Sequence, residues 1–127
     1  MAGNLSTSGR IVLVASDLMR QSRVAEAARA LGYAVAVATT VEEAREALRA
    51  GASAVVILDL QAEGAPWRDV LAVAGDVPVI AFGQHTRAGV LRAAKAAGCA
   101  LAVPRSQLVE KLPQLIDEAK GAPSRSS

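Results

Sequence analysis

The chain has 127 residues, a length that suits one domain able to bury a core without disulfides or metals. Its 14 basic and 12 acidic side chains are interspersed, so neither nucleic acid nor a membrane is indicated as a partner. The single cysteine, Cys99, excludes an internal disulfide and fits a reducing compartment.

The two ends of the chain are polar and rich in Ser, Gly and Pro, and we expect disordered tails over residues 1–9 and 121–127. The N-terminal stretch lacks the apolar core of a secretion signal, and no apolar run approaches the ~20 residues of a membrane span. We therefore predict one cytoplasmic domain over residues 10–120. Because 52% of the residues are hydrophobic and only 2% are aromatic, its core should be aliphatic.

The first half of this domain is predicted to alternate strands with helices. Gly32 ends the first helix as a C-terminal cap, and Gly51 ends the second. Thr40 and Glu43 form a Thr-x-x-Glu capping box at the start of the second helix. The predicted strands cover residues 10–15, 34–38 and 54–61, and the second helix covers residues 41–50.

The second half continues the alternation. Pro66 suits the first position of a helix, Thr86 is a candidate helix cap, and Pro104 ends the last strand because it cannot donate to the ladder. Ser106 caps a final helical segment, which Pro113 interrupts through a clash with the carbonyl four residues earlier. The predicted strands cover residues 79–82 and 100–103, the helices 66–74, 87–97 and 113–119, and a turn covers 106–111.

The stretch of residues 54–61 is predicted as a strand, and its unbroken apolar run over residues 54–58 leads to the carboxylate of Asp59. Such a run is typical of a strand covered on both faces, as in parallel sheets. Five strands alternating with five helices predict a three-layer α/β domain with a parallel sheet. Open α/β sheets build their sites at the carboxyl ends of the strands, although Asp59 would also suit the start of an ordinary loop. The strand ends near Asp59 carry Ser16, Asp17, Gly83, Gln84, Val103 and Pro104.

The two acids of this edge, Asp17 and Asp59, are candidate ligands for a hard cation such as Mg²⁺, together with a backbone carbonyl near Gln61 and waters. The competing interpretation is that each acid caps the helix that follows it. The sequence indicates no metal site beyond this pair, and it requires no cofactor.

Catalytic machinery is not indicated. No glycine-rich phosphate cradle follows any strand, so nucleotide binding has no support. His85 has no evident carboxylate partner in the sequence, and Cys99 has only Gly and Ala as neighbours. We expect the protein not to be an enzyme.

The order of elements over residues 10–119 resembles the receiver domain of two-component response regulators. That family has an acid pair after the first strand, a phosphoaccepting Asp after the third, a Ser or Thr after the fourth and Lys-Pro after the fifth. The resemblance implies a single flavodoxin-like domain with strand order 2-1-3-4-5 and five helices. Position by position, Ser16 and Asp17 match the acid pair, Asp59 the phosphoacceptor, Gly83 the hydroxyl residue, Val103 the lysine and Ala100 a switch aromatic.

Several of these positions depart from the family pattern. Val103 offers no charge to offset a phosphoryl group on Asp59, and Gly83 has no hydroxyl to follow that group. Ala100 has no ring to move. The resemblance therefore implies a degenerate receiver, or pseudo-receiver, and it also implies a cis bond between Val103 and Pro104.

Three functions remain open at this point. The first is a pseudo-receiver that signals through a protein partner, either a histidine kinase or another signalling protein, with homodimerisation undecided. The second is a receiver that still accepts phosphate on Asp59 in a phosphorelay with weak Mg²⁺ dependence. The third is a flavodoxin-like domain that binds a small ligand. The predicted partner face of the first function carries Arg87, Arg92, Lys95, Arg105 and Lys111.

Overall fold

The computed structural model of the protein describes residues 9–84, 86 and 88–122. Strands and helices alternate along most of this range, and two consecutive helices close it. The strands are β1 (Arg10–Val14), β2 (Ala34–Ala38), β3 (Val55–Asp59), β4 (Val79–Gly83) and β5 (Leu101–Pro104). The helices are α1 (Leu18–Ala30), α2 (Val41–Ala50), α3 (Trp67–Ala74), α4 (Ala88–Ala97), α5 (Arg105–Leu108) and α6 (Leu112–Lys120).

The five strands form one parallel sheet in the order β2-β1-β3-β4-β5. The predicted flavodoxin-like α/β fold is therefore confirmed, although the structure has six helices where the sequence predicted five. The three central strands β1, β3 and β4 are buried almost throughout, whereas the edge strands β2 and β5 are partly exposed. Burial on both faces accounts for the unbroken apolar runs of the central strands.

Successive side chains of each strand point to opposite faces of the sheet, and each face has its own helices. Ile57 and Phe82 pack with α1, α5 and α6 on one face. Leu58 and Ala81 pack with α2, α3 and α4 on the other. The short segments between strands and helices thus lie at the ends of the sheet, where the site is built.

The α2 helix begins as predicted at a capping box, with one change of partner. The N–H of Glu43 donates to Oγ1 of Thr40 at 3.0 Å, as a capping box requires. The carboxylate of Glu43 accepts from the N–H of Thr39 at 2.7 Å and from the Thr39 hydroxyl at 2.9 Å, one residue before the expected donor. Both donors favour the ionised acid, and the Thr39 N–H is the main reason that the pKa of Glu43 lies below its ordinary value of 4.5.

The segment after β5 differs from the prediction. Residues 105–108 form the short helix α5, and Ser106 lies inside it instead of capping it. The predicted last helix begins at Leu112, so Pro113 occupies its first turn, where a missing N–H removes no intrahelical hydrogen bond. The helix predicted over residues 113–119 is therefore present with Pro113 in its first turn, and the additional helix among the described residues is α5, where a turn was predicted.

The bond between Val103 and Pro104 is trans, because the described residues contain no cis peptide bond. The cis bond that the family resemblance implied is therefore wrong for this chain. Pro104 has extended backbone angles and leads β5 straight into α5. A trans bond is the ordinary preference before proline, and this connection gives no reason for the rarer isomer.

Some predictions lie partly or wholly outside the described residues. The disordered tails were predicted partly over residues 1–8 and 123–127, which lie outside the described range. His85 and Arg87 also lie outside it. Within the described range, no helix combines the length and the apolar character that a membrane crossing needs.

Candidate functional site

The carboxyl ends of the central strands meet at one edge of the sheet. Val14 pairs with Leu58, Asp59 with Phe82, and Phe82 with Val103. The last residue of β3 is therefore flanked by the segment after β1 on one side and by the ends of β4 and β5 on the other. The structure thus brings most of the predicted strand-end residues to a single edge, with Asp59 at its centre.

Asp59 is buried, with 1% of its surface exposed, and both of its carboxylate oxygens have partners. Oδ1 accepts from the N–H of Gln61 at 2.9 Å, which is the local turn that follows β3. Oδ2 accepts from Nε of Arg20 at 2.8 Å, across 39 residues of sequence. A buried carboxylate needs such a partner, since an unpaired charge in the interior is costly.

Arg20 lies in the first turn of α1, and its side chain is 25% exposed. Its own N–H donates to Oδ1 of Asp17 at 3.0 Å, so Asp17 is the N-cap of α1. Its guanidinium also lies 3.8 Å from Oδ2 of Asp17. Arg20 therefore contacts both acids of the site. Its backbone N–H and its guanidinium contact Asp17, and its Nε contacts Asp59.

The same contacts set the ionisation of Asp17. The Arg20 N–H is the largest influence, and the guanidinium charge of Arg20 adds to it, so the pKa of Asp17 lies below its ordinary value of 3.8. Arg105, at the start of α5, acts in the same direction. Asp17 is thus held as a carboxylate by cations and by a helix start, which agrees with the capping interpretation of this acid.

Arg20 was not among the residues predicted from the sequence. The available signal was its position three residues after a helix-capping acid, which places the two on one face of a helix turn. That spacing could suggest the contact with Asp17. It could not suggest the contact with Asp59, because that pairing depends on how α1 packs against β3.

The loop after β3 is tied to its neighbours on both sides. The hydroxyl of Ser16 accepts from the N–H of Glu63 at 3.3 Å and thereby joins the segment after β1 to this loop. Gly64 passes so close to the segment after β2 that a Cβ would lie 2.8 Å from the carbonyl oxygen of Thr39. These approaches hold the loop that carries the turn of Asp59 in place.

The positions that match the family's hydroxyl and lysine lie beside Asp59 but carry no polar side chain. Gly83 ends β4, and the nearest atoms that a Cβ there would meet belong to Leu60 and Leu91, at ordinary contact distances of 3.6 to 3.8 Å. Val103 is partly buried and packs against the apolar core, as does Ala100. A Cβ at position 83 would therefore be tolerated, whereas a charged side chain at position 103 would start from an apolar surrounding.

The two predicted metal ligands are both in contact with a cation that belongs to the protein. Among the described residues, no group of three or more His, Cys, Asp or Glu side chains is arranged to hold a metal ion. The pair of Asp17 and Asp59 remains, but Oδ2 of each carboxylate faces the guanidinium of Arg20. A divalent cation shared by these oxygens would have to displace that side chain.

The predicted partner face is divided between the two faces of the sheet, with the edge strand β5 between them. Arg92 and Lys95 lie on α4, while Arg105 begins α5 and Lys111 precedes α6. The ammonium of Lys95 donates to the carbonyl oxygen of Ala100 at 2.7 Å, so it fastens the turn after its own helix. Arg105 belongs equally to the surface beside α1, where it lines a groove with Arg20.

Comparisons with known proteins support the fold. Neither a protein-family model nor a curated protein sequence matches the chain. Solved structures do match, among them the receiver domain of NtrX from Brucella abortus, with a TM-score of 0.77, 17% identity and coverage of 87% of this chain and 97% of that chain.

Two further structures give the same result. The receiver domain of the Francisella response regulator 1452 has a TM-score of 0.76 at 12% identity and covers 87% of this chain and 95% of that chain. The receiver domain of the sensor histidine kinase PA1611 from Pseudomonas aeruginosa, which holds a magnesium ion in its active-site cleft, has a TM-score of 0.72 at 18% identity and covers 89% and 98%. The sheet order, the position of Asp59 and these similarities together show that the chain has the receiver-domain fold of two-component response regulators.

Proposed function

We propose that this protein is an atypical receiver that acts in two-component signalling as a protein interaction module, with an impaired phosphorylation switch. The observation that carries the proposal is the ion pair between Arg20 and the buried Asp59, at 2.8 Å. The partner would be a histidine kinase or another signalling protein, and the protein itself would catalyse no reaction.

The ion pair opposes phosphorylation at the first step. To accept a phosphoryl group, a carboxylate oxygen of Asp59 must attack the phosphorus of the donor. Oδ2 is held by Nε of Arg20 and Oδ1 by the N–H of Gln61, so both oxygens are engaged. Moving Arg20 aside would leave the buried carboxylate of Asp59 without a compensating charge, and this cost adds to the activation barrier for phosphoryl transfer.

The site also lacks the groups that would respond to a phosphoryl group. Such a group would bring extra negative charge and strong acceptor oxygens to the edge of the sheet. Val103 cannot neutralise that charge, and Gly83 has no hydroxyl to move toward it. Without differential contacts in the two states, phosphorylation would shift no conformational equilibrium.

In this proposal the binding of Mg²⁺ depends on the position of the Arg20 side chain. The donor set of Asp17, Asp59 and a backbone carbonyl near Gln61 is chemically suited to a hard cation. Such an ion would supply charge compensation for a phosphoryl group, but only after Arg20 has left Oδ2 of Asp59. We therefore propose that Mg²⁺ binds this protein weakly and that it is not required.

The test is treatment of the full chain with acetyl phosphate or beryllofluoride in the presence of Mg²⁺. We expect no phosphoryl adduct by intact mass and no change in amide NMR shifts. Amide shifts around residues 17, 59 and 83 would show that Asp59 still accepts phosphate, and the second function would then replace the first. Arg20→Gln serves as the matched variant, because it frees Oδ2 and should make the site more reactive.

A further inference from the structure

The outer edge of β2 is an open edge of the sheet. β2 is hydrogen-bonded to β1 on one side, and among the described residues no strand lies on its other side. The N–H of Ala34 and the carbonyl oxygen of Ala38 both bond toward the chain around β1, at 3.0 and 3.1 Å. Alternate residues of a parallel strand bond to the same neighbour, so the backbone N–H and C=O groups of Val35 and Val37 point away from β1.

The sequence around this edge lacks the features that keep edge strands apart. Natural edge strands avoid pairing with another chain through charged side chains, prolines and bulges. Residues 30–41 contain no charged residue and no proline, and β2 pairs with β1 in a continuous register. Val37 is 42% exposed although it is apolar. An exposed apolar edge of this kind is a template for a further strand.

The edge formed by β5 is better protected. That strand has four residues, one fewer than β2, and it ends on Pro104. The ammonium of Lys95 donates to the carbonyl oxygen of Ala100 at 2.7 Å, directly before β5, and so places a positive charge beside this edge. The comparison favours β2 as the edge at which another strand pairs.

The helices on either side of β2 leave its edge accessible. Both α1 and α2 pack against β1 and β2. Arg20 lines the groove toward α5, and Leu18 and Ser22, two positions before and after it, lie on the opposite flank of α1. Arg45 lines a cleft toward α3, and Ala47, two positions later, lies on the opposite flank of α2. The flanks beside β2 thus carry small side chains together with Leu18, which is 75% exposed.

We infer that the chain forms a homodimer in which the β2 edges of two copies pair antiparallel and join the two sheets into one. A two-fold axis through Ala36 places Val35 of each copy opposite Val37 of the other. Each such pair exchanges its outward N–H and C=O groups, and β-branched side chains that stand opposite one another stabilise an antiparallel pair.

A second copy of the chain is the occupant because the edge is complementary to itself. The outward groups are placed symmetrically about Ala36, and the uncharged segment of residues 30–41 opposes no like charges across the axis. A pair of short strands buries less than the about 800 Å² per partner of a standard interface, so the Kd should be on the order of 10 μM. The dimer goes beyond the proposed interaction with a signalling partner and is independent of the state of Asp59.

Sedimentation velocity of the full chain tests for the dimer. We expect monomers at about 1 μM and mainly dimers at about 100 μM. A chain that stays monomeric throughout this range would overturn the inference and leave the edge to a strand from another protein.

Two lysine variants locate the interface. Val37→Lys should weaken dimerisation at least about tenfold, because it places a charge on the edge and removes an apolar cross-strand contact. Val109→Lys is the matched control, since that valine is 40% exposed, lies at the end of α5, and gives the same change in net charge. It should dimerise as the unaltered protein does. Thermal unfolding checks that both variants are folded, and loss of the dimer in the control alone would contradict the assigned edge.

A disulfide tests the register of the pairing. In the proposed dimer the two Ala36 residues form a non-hydrogen-bonded pair with Cα atoms about 4.5 Å apart, a distance that a disulfide spans. Ala36→Cys treated with diamide should therefore give a covalent dimer on a non-reducing gel. Ala102→Cys is the control, because Ala102 is also partly buried within an edge strand, and the unaltered chain, whose Cys99 is buried, is a second one. If Ala36→Cys forms no covalent dimer, or if Ala102→Cys forms as much, pairing about Ala36 is wrong.

Discussion

Nε of Arg20 lies 2.8 Å from Oδ2 of Asp59 and joins the first turn of α1 to the last residue of β3. The contact places a cation of the chain itself against the carboxylate that matches the family's phosphoacceptor. Asp59 is therefore compensated in the unmodified protein, without a metal ion or a lysine at position 103. The contact links stability to the proposed function, because the ion pair that stabilises the buried carboxylate also opposes its reaction with a phosphoryl donor.

The first prediction concerns the energy of this pairing. Arg20→Gln should lower the free energy of unfolding by about 2 kcal/mol, since it leaves the carboxylate of Asp59 buried with one partner fewer. The figure is below that of a fully buried pair because the arginine is 25% exposed. Urea unfolding provides the measurement.

A double-mutant cycle supplies the control for this prediction. Asp59→Asn removes the charge that Arg20 compensates, so Arg20→Gln should cost much less in that background. Equal costs in both backgrounds would mean that Arg20 stabilises the fold through packing and not through Asp59.

The second prediction compares two glycines near the site. Gly83→Ser should change the free energy of unfolding by less than about 1 kcal/mol, since the new Cβ would meet its neighbours at 3.6 Å or more. Gly64→Ala should lower it by about 1–3 kcal/mol, because its Cβ would lie 2.8 Å from the carbonyl oxygen of Thr39. Chemical denaturation of both variants tests the difference, and a larger cost at position 83 would contradict the close approach at position 64.

The third prediction concerns the pH dependence of stability. The contacts with Thr39 hold the pKa of Glu43 below its ordinary value of 4.5, so Glu43 contributes stability at neutral pH. This contribution is fully present above 4.5 and is lost as the pH falls through the lower, folded-state pKa. The stability of Glu43→Gln should therefore be lower than that of the unaltered protein at neutral pH, and the difference should shrink in acid.

Thr40→Ala is the matched control for the pH prediction. It removes the hydroxyl that accepts from the Glu43 N–H, at an expected cost of about 1 kcal/mol. Urea midpoints measured from neutral pH into acid should show this cost at both ends of the range. If the stability difference between Glu43→Gln and the unaltered protein also stayed constant across the range, the ionisation of Glu43 would not be the cause of that difference.

The fourth prediction concerns the restoration of the switch. The triple variant Arg20→Gln, Gly83→Ser and Val103→Lys frees Oδ2 of Asp59 and supplies the hydroxyl and the cation that the family pattern contains. We expect it to show beryllofluoride-dependent amide shifts near residues 17, 59 and 83 when Mg²⁺ is present. The same variant with Asp59→Asn should show none, and shifts that persist without Asp59 would point to binding elsewhere.

The local elements were largely predictable because their signals are local. The boundaries of β2 and α2 match the predictions, since a short apolar run, the Thr40 cap and Gly51 define them without reference to distant residues. The central strands were also recognised, as burial on both faces selects apolar residues at every position. The helix that begins near Pro113 was predicted to within one residue, whereas residues 105–108 were predicted as a capping residue and a turn and form the short helix α5. A single helical turn has too few residues to show a periodic pattern, and its burial at Leu108 depends on packing.

The sequence by itself determined the order of strands and helices, the burial of the sheet, and the position of Asp59 at the end of its third strand. These follow from the spacing of apolar residues and from caps, which act over a few residues. Only the tertiary structure decided that Arg20 neutralises Asp59 and that Met19, Arg23, Arg105 and Val109 share one groove. Those contacts join residues far apart in the chain, and they exist only once α1 and α5 pack on the same face of the sheet.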